Sequence, residues 1–293
     1  MAHSHTVVHL THPDRVLIRS PRITKSDLAD FYRRIADFII PGLINRPLML
    51  LRCPDGASGA CFFQKHGGRG FPAAIRELHD RAGRQRWIYI EDLEGLMALV
   101  QMNCLEYHTW GATIADLDQA DRLVIDLDPG AGVRWKVVID AALTLRARLA
   151  DLGLECFVRT SGGKGLHVVV PLRPTAAWNR VHGFARALAE DLAQDEPRRF
   201  LAVATRARRR GRIFLDYQRN ARGSTAVCSY SLRNRPGAPL ATPLSWDELP
   251  RVRAPDQFRF GNIARRLARL DADPWAAIER VGQSLPELVR RGT

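Results

Sequence analysis

Asp126 and Asp128 stand one residue apart at the end of the apolar run Arg122-Leu-Val-Ile-Asp-Leu-Asp-Pro-Gly130. Alternate residues of an extended chain point the same way, so this spacing aims two carboxylates at one spot. Like charges that close repel, and burial raises the pKa of at least one unless a cation sits between them. A hard divalent ion such as Mg²⁺ or Mn²⁺, which takes oxygen ligands, resolves the conflict. Solvated turns carry the same spacing, and Pro129-Gly130 has turn composition, so the pair needs further residues to make a site.

Two later segments supply them. Thr160-Ser-Gly-Gly-Lys-Gly-Leu-His-Val-Val-Val-Pro171 places three glycines within four positions. Such a backbone approaches a ligand closely and presents successive N–H groups to an anion. Ser161 adds a hydroxyl, Lys164 a point charge suited to phosphate, and His167 opens a run that reads as a buried strand. The G-x-x-x-x-G-K-[ST] spacing of a P-loop is absent, and a strand follows where a P-loop requires a helix. A plain hairpin turn with one exposed lysine is the alternative for this segment alone. Arg212-Ile-Phe-Leu-Asp-Tyr217 is a short apolar strand carrying a third carboxylate, Asp216. A carboxylate on a buried strand needs a metal or a basic neighbour.

The elements that position these groups follow from periodicity. A strand near 122–128 precedes an amphipathic helix from Trp135 to Leu149, with Val138, Ile139, Ala142, Leu145 and Leu149 on one face. Strands near 155–160 and 166–171 flank the glycine turn, and Trp178, Val181, Phe184, Ala185, Leu188 and Leu192 give the next helix its stripe. The Asp216 strand closes a β-α-β-β-α-β order, the split βαβ arrangement of ferredoxin-like folds. There the first strand lies between the third and fourth, so Asp216 and the His167 strand flank the Asp-x-Asp. Three carboxylates and a phosphate-type loop on one sheet form the layout of a two-metal phosphoryl-transfer palm.

The rest of the chain supports an anionic partner. Lys+Arg 44 against Asp+Glu 31 gives a formal net charge of +13 over 293 residues. That balance suits nucleic acid, although basic surfaces also exist without this role. No apolar run approaches the length of a membrane helix, and the start lacks a signal-peptide core, so the cytoplasm is the expected compartment. Cys53, Cys61, Cys104, Cys156 and Cys228 form no C-x-x-C, which leaves a zinc site unsupported and suggests five reduced, mostly buried thiols.

Thr24-Lys-Ser-Asp27 signals a helix start, with Leu28, Phe31, Tyr32, Ile35 and Ile39 as its core stripe and Pro41-Gly42 as its end. Helix N-termini bind phosphate, and Lys25 stands at this one with Arg15 upstream, although both also fit plain surface charges. In Phe62-Phe-Gln-Lys-His66, one phenylalanine is expected in the core and the other is available to stack on a base. His108 sits among aromatics, a position more often structural than catalytic, with a pKa suited to proton work. Arg206, Arg208, Arg209, Arg210 and Arg212 precede the Asp216 strand and rank as backbone contacts for DNA at most. Arg233 and Arg235 follow an expected strand, Thr225 to Tyr230, within reach of a triphosphate. Ile263 to Leu288 is expected to form two terminal helices broken near Asp273-Pro274.

Asp126-Leu-Asp128, Ser161-Gly-Gly-Lys-Gly-Leu-His167 and Phe214-Leu-Asp216 resemble the three motifs of the archaeo-eukaryotic primase superfamily. Thr24-Lys-Ser-Asp27, Arg52-Cys-Pro-Asp-Gly56, Phe62-Phe-Gln-Lys65, Glu106-Tyr-His108, Tyr217-Gln-Arg-Asn220 and Tyr230-Ser-Leu-Arg233 are similar to the polymerase domain of bacterial ligase D, across nearly the whole chain. The resemblance implies an α+β primase-type palm with a ferredoxin- or RRM-like βαββαβ core and an N-terminal α/β subdomain. It implies one polymerase domain over 1–293, with DNA-end binding in 1–115 and the palm and C-terminal helices in 116–293. Asp126, Asp128 and Asp216 would bind two divalent ions, Mn²⁺ or Mg²⁺. Ser161, Lys164, His167 and Arg233, with Arg235, would hold the nucleotide, and His108 would be an active-site residue. Arg15 and Lys25 would hold a 5′-phosphate at a gapped or recessed DNA end, with Arg52, Phe62, Phe63 and Lys65 also on DNA. Arg15 stands where relatives can carry lysine, which keeps the charge and alters its geometry. The implied reaction is template-directed transfer of an NTP or dNTP to a primer 3′-hydroxyl in non-homologous end joining, with a ribonucleotide preference. One ion on all three aspartates would activate the 3′-hydroxyl, and a second on Asp126 and Asp128 would neutralise the triphosphate. Ku and ligase modules are the implied partners, and a nucleoid-associated monomer the implied form. No ligase or phosphoesterase motif is present, which suits a standalone polymerase or one domain of a larger ligase. A replicative primase, or a glycosyltransferase using Asp-x-Asp with a nucleotide sugar, are the competing readings.

Overall fold

A capping box at Thr24 opens the first helix: its hydroxyl accepts from Asp27 N at 3.1 Å, and Asp27 Oδ2 accepts from Thr24 N at 2.8 Å. The computed structural model describes residues 8–68, 70–79 and 85–287, and the chain divides into two units. Unit 1 runs to Trp110 and takes back Val227–Ala241 and Phe258–Asp271; unit 2 holds Gly111–Ala226, Thr242–Gln257 and the segment from Ala272.

Unit 1 contains α1 (Lys25–Arg34), α2 (Ala36–Leu43), β1 (Leu48–Arg52), β2 (Phe62–Gln64), α3 (Leu93–Gln101) and β3 (Cys104–Thr109). β1 pairs antiparallel with both β2 and β3. The single helix expected up to Pro41-Gly42 is two: the chain breaks at Ile35, and α2 continues through Pro41. Proline removes one helical N–H, a loss that the burial of Ile39 and Leu43 outweighs.

Two further expectations for this region are corrected. Cys53 and Cys61 are disulfide-bonded rather than reduced, whereas Cys104, Cys156 and Cys228 are buried and not disulfide-bonded. The reason lies in register. Arg52 faces Phe62 across β1 and β2, so the next residues outward, Cys53 and Cys61, come together with Cα atoms 4.3 Å apart. The strand expected over Thr225 to Tyr230 shrinks to Ala226–Val227, because Tyr230 turns the chain with φ +63°.

Unit 2 is built on β4 (Gln119–Pro129), α4 (Trp135–Asp151), β5 (Phe157–Thr160), β6 (Leu166–Ala177), α5 (Trp178–Asp195), β7 (Phe200–Leu201), β8 (Ile213–Asp216) and β9 (Pro243–Leu244). The sheet order is β7-β8-β4-β6-β5-β9. Its inner four strands reproduce the expected βαββαβ core, with β4 between β8 and β6. The buried stripes of α4 and α5 match those read from periodicity. The two expected terminal helices reduce to one turn-and-a-half at Ile263–Leu267 and a 3₁₀ turn at Ile278–Arg280, while Leu288 lies outside the described residues. Asp271, Asp273 and Pro274 break the apolar period there, and Trp275 and Ile278 are buried in one cluster with Val124, Phe157, Val169 and Ala226.

One buried side chain ties the strand carrying the third aspartate to the centre of the sheet. Asn220, in the turn after β8, accepts from Val124 N and donates to Val124 O, both at 2.7 Å, and also donates to Tyr217 O at 2.8 Å. Asn220→Ala would leave buried peptide groups of β4 unpaired, and we expect a loss of about 3 kcal/mol in urea denaturation. A loss below about 1 kcal/mol would show that the turn is held by other contacts.

Candidate active site

Strand register sets four charged or ionisable residues of unit 2 side by side. Asp216 on β8 faces Asp126 on β4, Asp126 faces His167 on β6, and His167 faces Arg159 on β5. Directly paired residues point to the same side of a sheet, so the row shares one face. Asp128, two residues along β4, lies on that face opposite Phe214. His167 Nε2 is 3.6 Å from Asp126 Oδ2, and Arg159 donates to His167 Nδ1 at 3.2 and 3.3 Å. The Arg159 guanidinium is buried and lies over the Trp275 ring, 5.2 Å from its centroid. An Nδ1 that accepts from arginine leaves the ring proton on Nε2, toward Asp126. Burial lowers the His167 pKa to about 4; Asp126 opposes this shift and Arg159 adds to it.

The carboxylates are compensated by two arginines. Arg219 bridges Asp126 and Asp216, with 3.3 Å to each, and Arg209 donates to Asp128 at 2.5 Å while stacking on Phe214 at 4.2 Å. Compensation is incomplete. Burial first, and then the charge of Asp126, raises the Asp128 pKa against the pull of Arg209, Lys164 and Arg219. Burial raises Asp216 as well, against Arg219 and with help from Asp126 and Asp128. Among the described residues no ready-made cage of three metal-ligating side chains exists, because the acids are turned to arginines.

The loop after β5 folds onto this face. Gly165 packs against β4 so closely that a Cβ there would lie 2.0 Å from Leu127 O, and Gly162 has φ +64°. Ser161 Oγ accepts from Gly163 N and Gly165 N at 3.2 and 3.3 Å, so the hydroxyl shapes the loop itself. Lys164 is exposed at the tip, near enough for its charge to act on Asp128. Gly130 is required for a similar reason: its Cβ would meet Arg209 O at 1.8 Å.

Unit 1 holds the other expected residues. Glu106 accepts from His108 Nε2 at 2.9 Å, from Arg233 Nε at 2.9 Å and from Asn234 N at 2.8 Å. Arg235 is exposed. Phe62 and Phe63 are both exposed, at 46% and 56%, so neither enters the core as expected for one of them. β2 pairs with β1, and the Phe63 ring lies T-shaped against His108, with centroids 5.7 Å apart. Arg52 donates to Met102 O, and Lys65 is half-buried. Arg15 lines a cleft of about 560 Å³ with Val16, Arg19, Asp55, Ala57 and Ser58. Lys25 is buried with its ammonium on Gln101 O at 2.9 Å, and burial, then the charge of Arg15, lowers its pKa to about 8.

Residues 24–275 match the family described as LigD, primase-polymerase domain. The chain belongs to the LigD primase-polymerase family. It is 39% identical over 287 residues to the multifunctional non-homologous end joining protein LigD of Pseudomonas aeruginosa, covering 97% of this chain and 34% of that protein. The Mycolicibacterium smegmatis protein of the same description is 35% identical over 279 residues, covering 91% of this chain and 36% of the relative. The chain thus spans about a third of the length of these curated relatives. The polymerase domain of Mycobacterium tuberculosis ligase D, solved in complex with DNA, superposes with a TM-score of 0.85 at 31% identity, covering 95% of this chain and 99% of that one.

As a LigD primase-polymerase domain the chain is a nucleotidyltransferase, of a metal-dependent family. Asp126, Asp128 and Asp216 are oxygen donors of the type a hard divalent cation takes, and burial raises the pKa of two of them, although in this arrangement they are paired with arginines. Arg159, Arg209, Arg219 and Glu106 escaped the sequence reading as site residues. Arg159 stands two residues before Ser161 in an alternating strand, a signal that the sequence carries once the register is known. Arg209 was one of a run of arginines, and nothing in the run distinguishes it.

Between pH 6.5 and 4 the unfolded chain takes up a proton that native His167 refuses, so native stability falls as pH falls through this window. The contribution is about 2 kcal/mol between pH 7.5 and 5 at 1.36 kcal/mol per pKa unit. Urea denaturation of wild type and His167→Gln at both pH values should show a smaller acid loss in the variant. Equal losses would mean that His167 titrates normally.

Proposed function

We propose that this domain is a template-directed repair polymerase that fills gaps and extends ends in non-homologous end joining, with a preference for ribonucleotides. The observation that carries the reading is the row Asp216-Asp126-His167 with Asp128 beside it, under a glycine loop bearing Lys164, in a LigD-family chain. Divalent ions held by Asp126, Asp128 and Asp216, Mn²⁺ or Mg²⁺, would activate a primer 3′-hydroxyl and neutralise the triphosphate.

The chain's own residues prepare that chemistry. Arg209 and Arg219 keep the carboxylates compensated. Neutral His167, with its proton directed by Arg159, offers a hydrogen bond without adding charge beside the acids. Lys164 gives the phosphates a point charge, and loop N–H groups held by Ser161 stay preorganised. His108, Arg233 and Arg235 would serve the nucleotide, and Arg52, Phe62, Phe63 and Lys65 would serve DNA. The relatives are multifunctional end-joining proteins, which supports pairing of this polymerase with Ku and ligase activity.

Asp216→Ala should abolish primer extension on a gapped duplex while DNA affinity stays within a few-fold, since phosphate contacts dominate binding. Extension by this variant at near wild-type rate would sink the three-carboxylate site.

Arg15 and Lys25 are two neighbouring cations, Arg15 lining a cleft and Lys25 buried, with a pKa lowered by burial and by the Arg15 charge. An anion in the cleft would relieve their repulsion, and a terminal phosphate carries the most charge. Fluorescence anisotropy at fixed salt should show a 5′-phosphorylated gap bound about 1–2 kcal/mol more tightly than its 5′-hydroxyl counterpart. Arg15→Ala with Lys25→Met should erase the difference and retain general DNA binding. Equal wild-type affinity for both ends would remove the end-recognition role and favour a primase.

A further inference from the structure

Glu106 is a buried carboxylate that no chemical step requires. Glu106 and His108 lie two residues apart on β3 and share a face, opposite Leu51 and Met49 of β1. Oε2 accepts from His108 Nε2 and from Arg233 Nε, and Oε1 accepts from Asn234 N. The side chain is only 6% exposed. Burial pushes its pKa up, but the His108 hydrogen bond, the Arg233 charge and the Asn234 N–H reverse this and hold it at about 2. Glu106 is therefore an anion at any working pH.

An ion buried this far costs several kcal/mol unless its partners are well placed, and a neutral acceptor would hold one arginine at lower cost. What a carboxylate adds is simultaneous control of two cationic or proton-bearing groups. A carboxylate only accepts, so His108 must carry its proton on Nε2. Donation from Nε fixes the plane of the Arg233 guanidinium, whose backbone is pinned by its own N–H to Pro239 O at 2.8 Å. Tyr107, between them on the strand, is fixed in turn by Ser231 Oγ, which accepts from its N–H at 2.9 Å.

We propose that Glu106 is a positioning residue for nucleotide binding, which sets the His108 tautomer and the Arg233 orientation as one unit. This rests on the assignment of His108 and Arg233 to the nucleotide. Three measurements test it on the whole protein. Long-range ¹H–¹⁵N spectra of wild type should show the His108 Nε2–H tautomer, assigned with His108→Ala. Glu106→Gln should disturb that signal. It should also raise the KM for NTP about tenfold, the scale of a hydrogen bond to a charged group, with DNA affinity within twofold. Combined with Arg233→Ala, Glu106→Gln should cost much less than the sum of the two, because both act through one contact.

An Nδ1–H tautomer in wild type overturns the proposal without any variant. So does a Glu106→Gln protein that folds and keeps both the His108 signal and the NTP KM. If His108→Ala and Arg233→Ala leave the NTP KM unchanged while Glu106→Gln still shifts the imidazole, the nucleotide assignment fails and the coupling of Glu106 to His108 survives.

Discussion

The acidic face of unit 2 is organised by the repulsion between Asp126 and its neighbours. Register brings Asp216 directly opposite Asp126, and the β-strand period puts Asp128 on the same face. Three carboxylates on so small an area of a central strand oppose the fold unless positive charge is built in around them. The surrounding structure supplies it: Arg219 across two of the acids, Arg209 against the third, Lys164 at the loop tip. Even so, two of the acids keep raised pKa values. The arginines therefore offset the repulsion in part, and the charge on this face stays incompletely compensated.

Close backbone approach is the second condition. Gly165 and Gly130 each abut a carbonyl, Leu127 O and Arg209 O, at distances no side chain tolerates. The first brings the glycine loop onto β4. The second lets the Arg209 segment run beside the end of β4, from where its guanidinium stacks on Phe214 and reaches Asp128. These glycines act through close contact with a neighbouring backbone segment rather than through flexibility.

Much of this was legible in the sequence because local periods carried it. Val138 to Leu149 and Trp178 to Leu192 show the helical period, and Arg122 to Asp128 the strand, which together dictate the βαββαβ order and hence the neighbours of Asp126. What local patterns omit is pairing between segments far apart. The Cys53–Cys61 bond depends on β1/β2 register, and the role of Arg159 on its facing His167 across β5 and β6. Arg209 and Arg219 belong to arginine-rich stretches whose members look alike until geometry selects one. The terminal helices failed for the opposite reason: an apolar period is present there, but Asp271 to Pro274 interrupt it before a second turn can close.

The two units use buried charge differently. Glu106 in unit 1 has three donors set around it, and its pKa is driven down, so its ionisation is permanent and its partners are fixed. In unit 2, Asp128 and Asp216 have raised pKa values and partners on side chains that are partly exposed: Arg219 is 39% exposed and Arg209 20%. A guanidinium on a long, partly solvated side chain is displaced at modest cost, whereas one locked by a buried carboxylate is not. The depressed pKa of Glu106 and the elevated pKa values of Asp128 and Asp216 thus mark a carboxylate served by three fixed donors apart from carboxylates whose charge is only partly compensated.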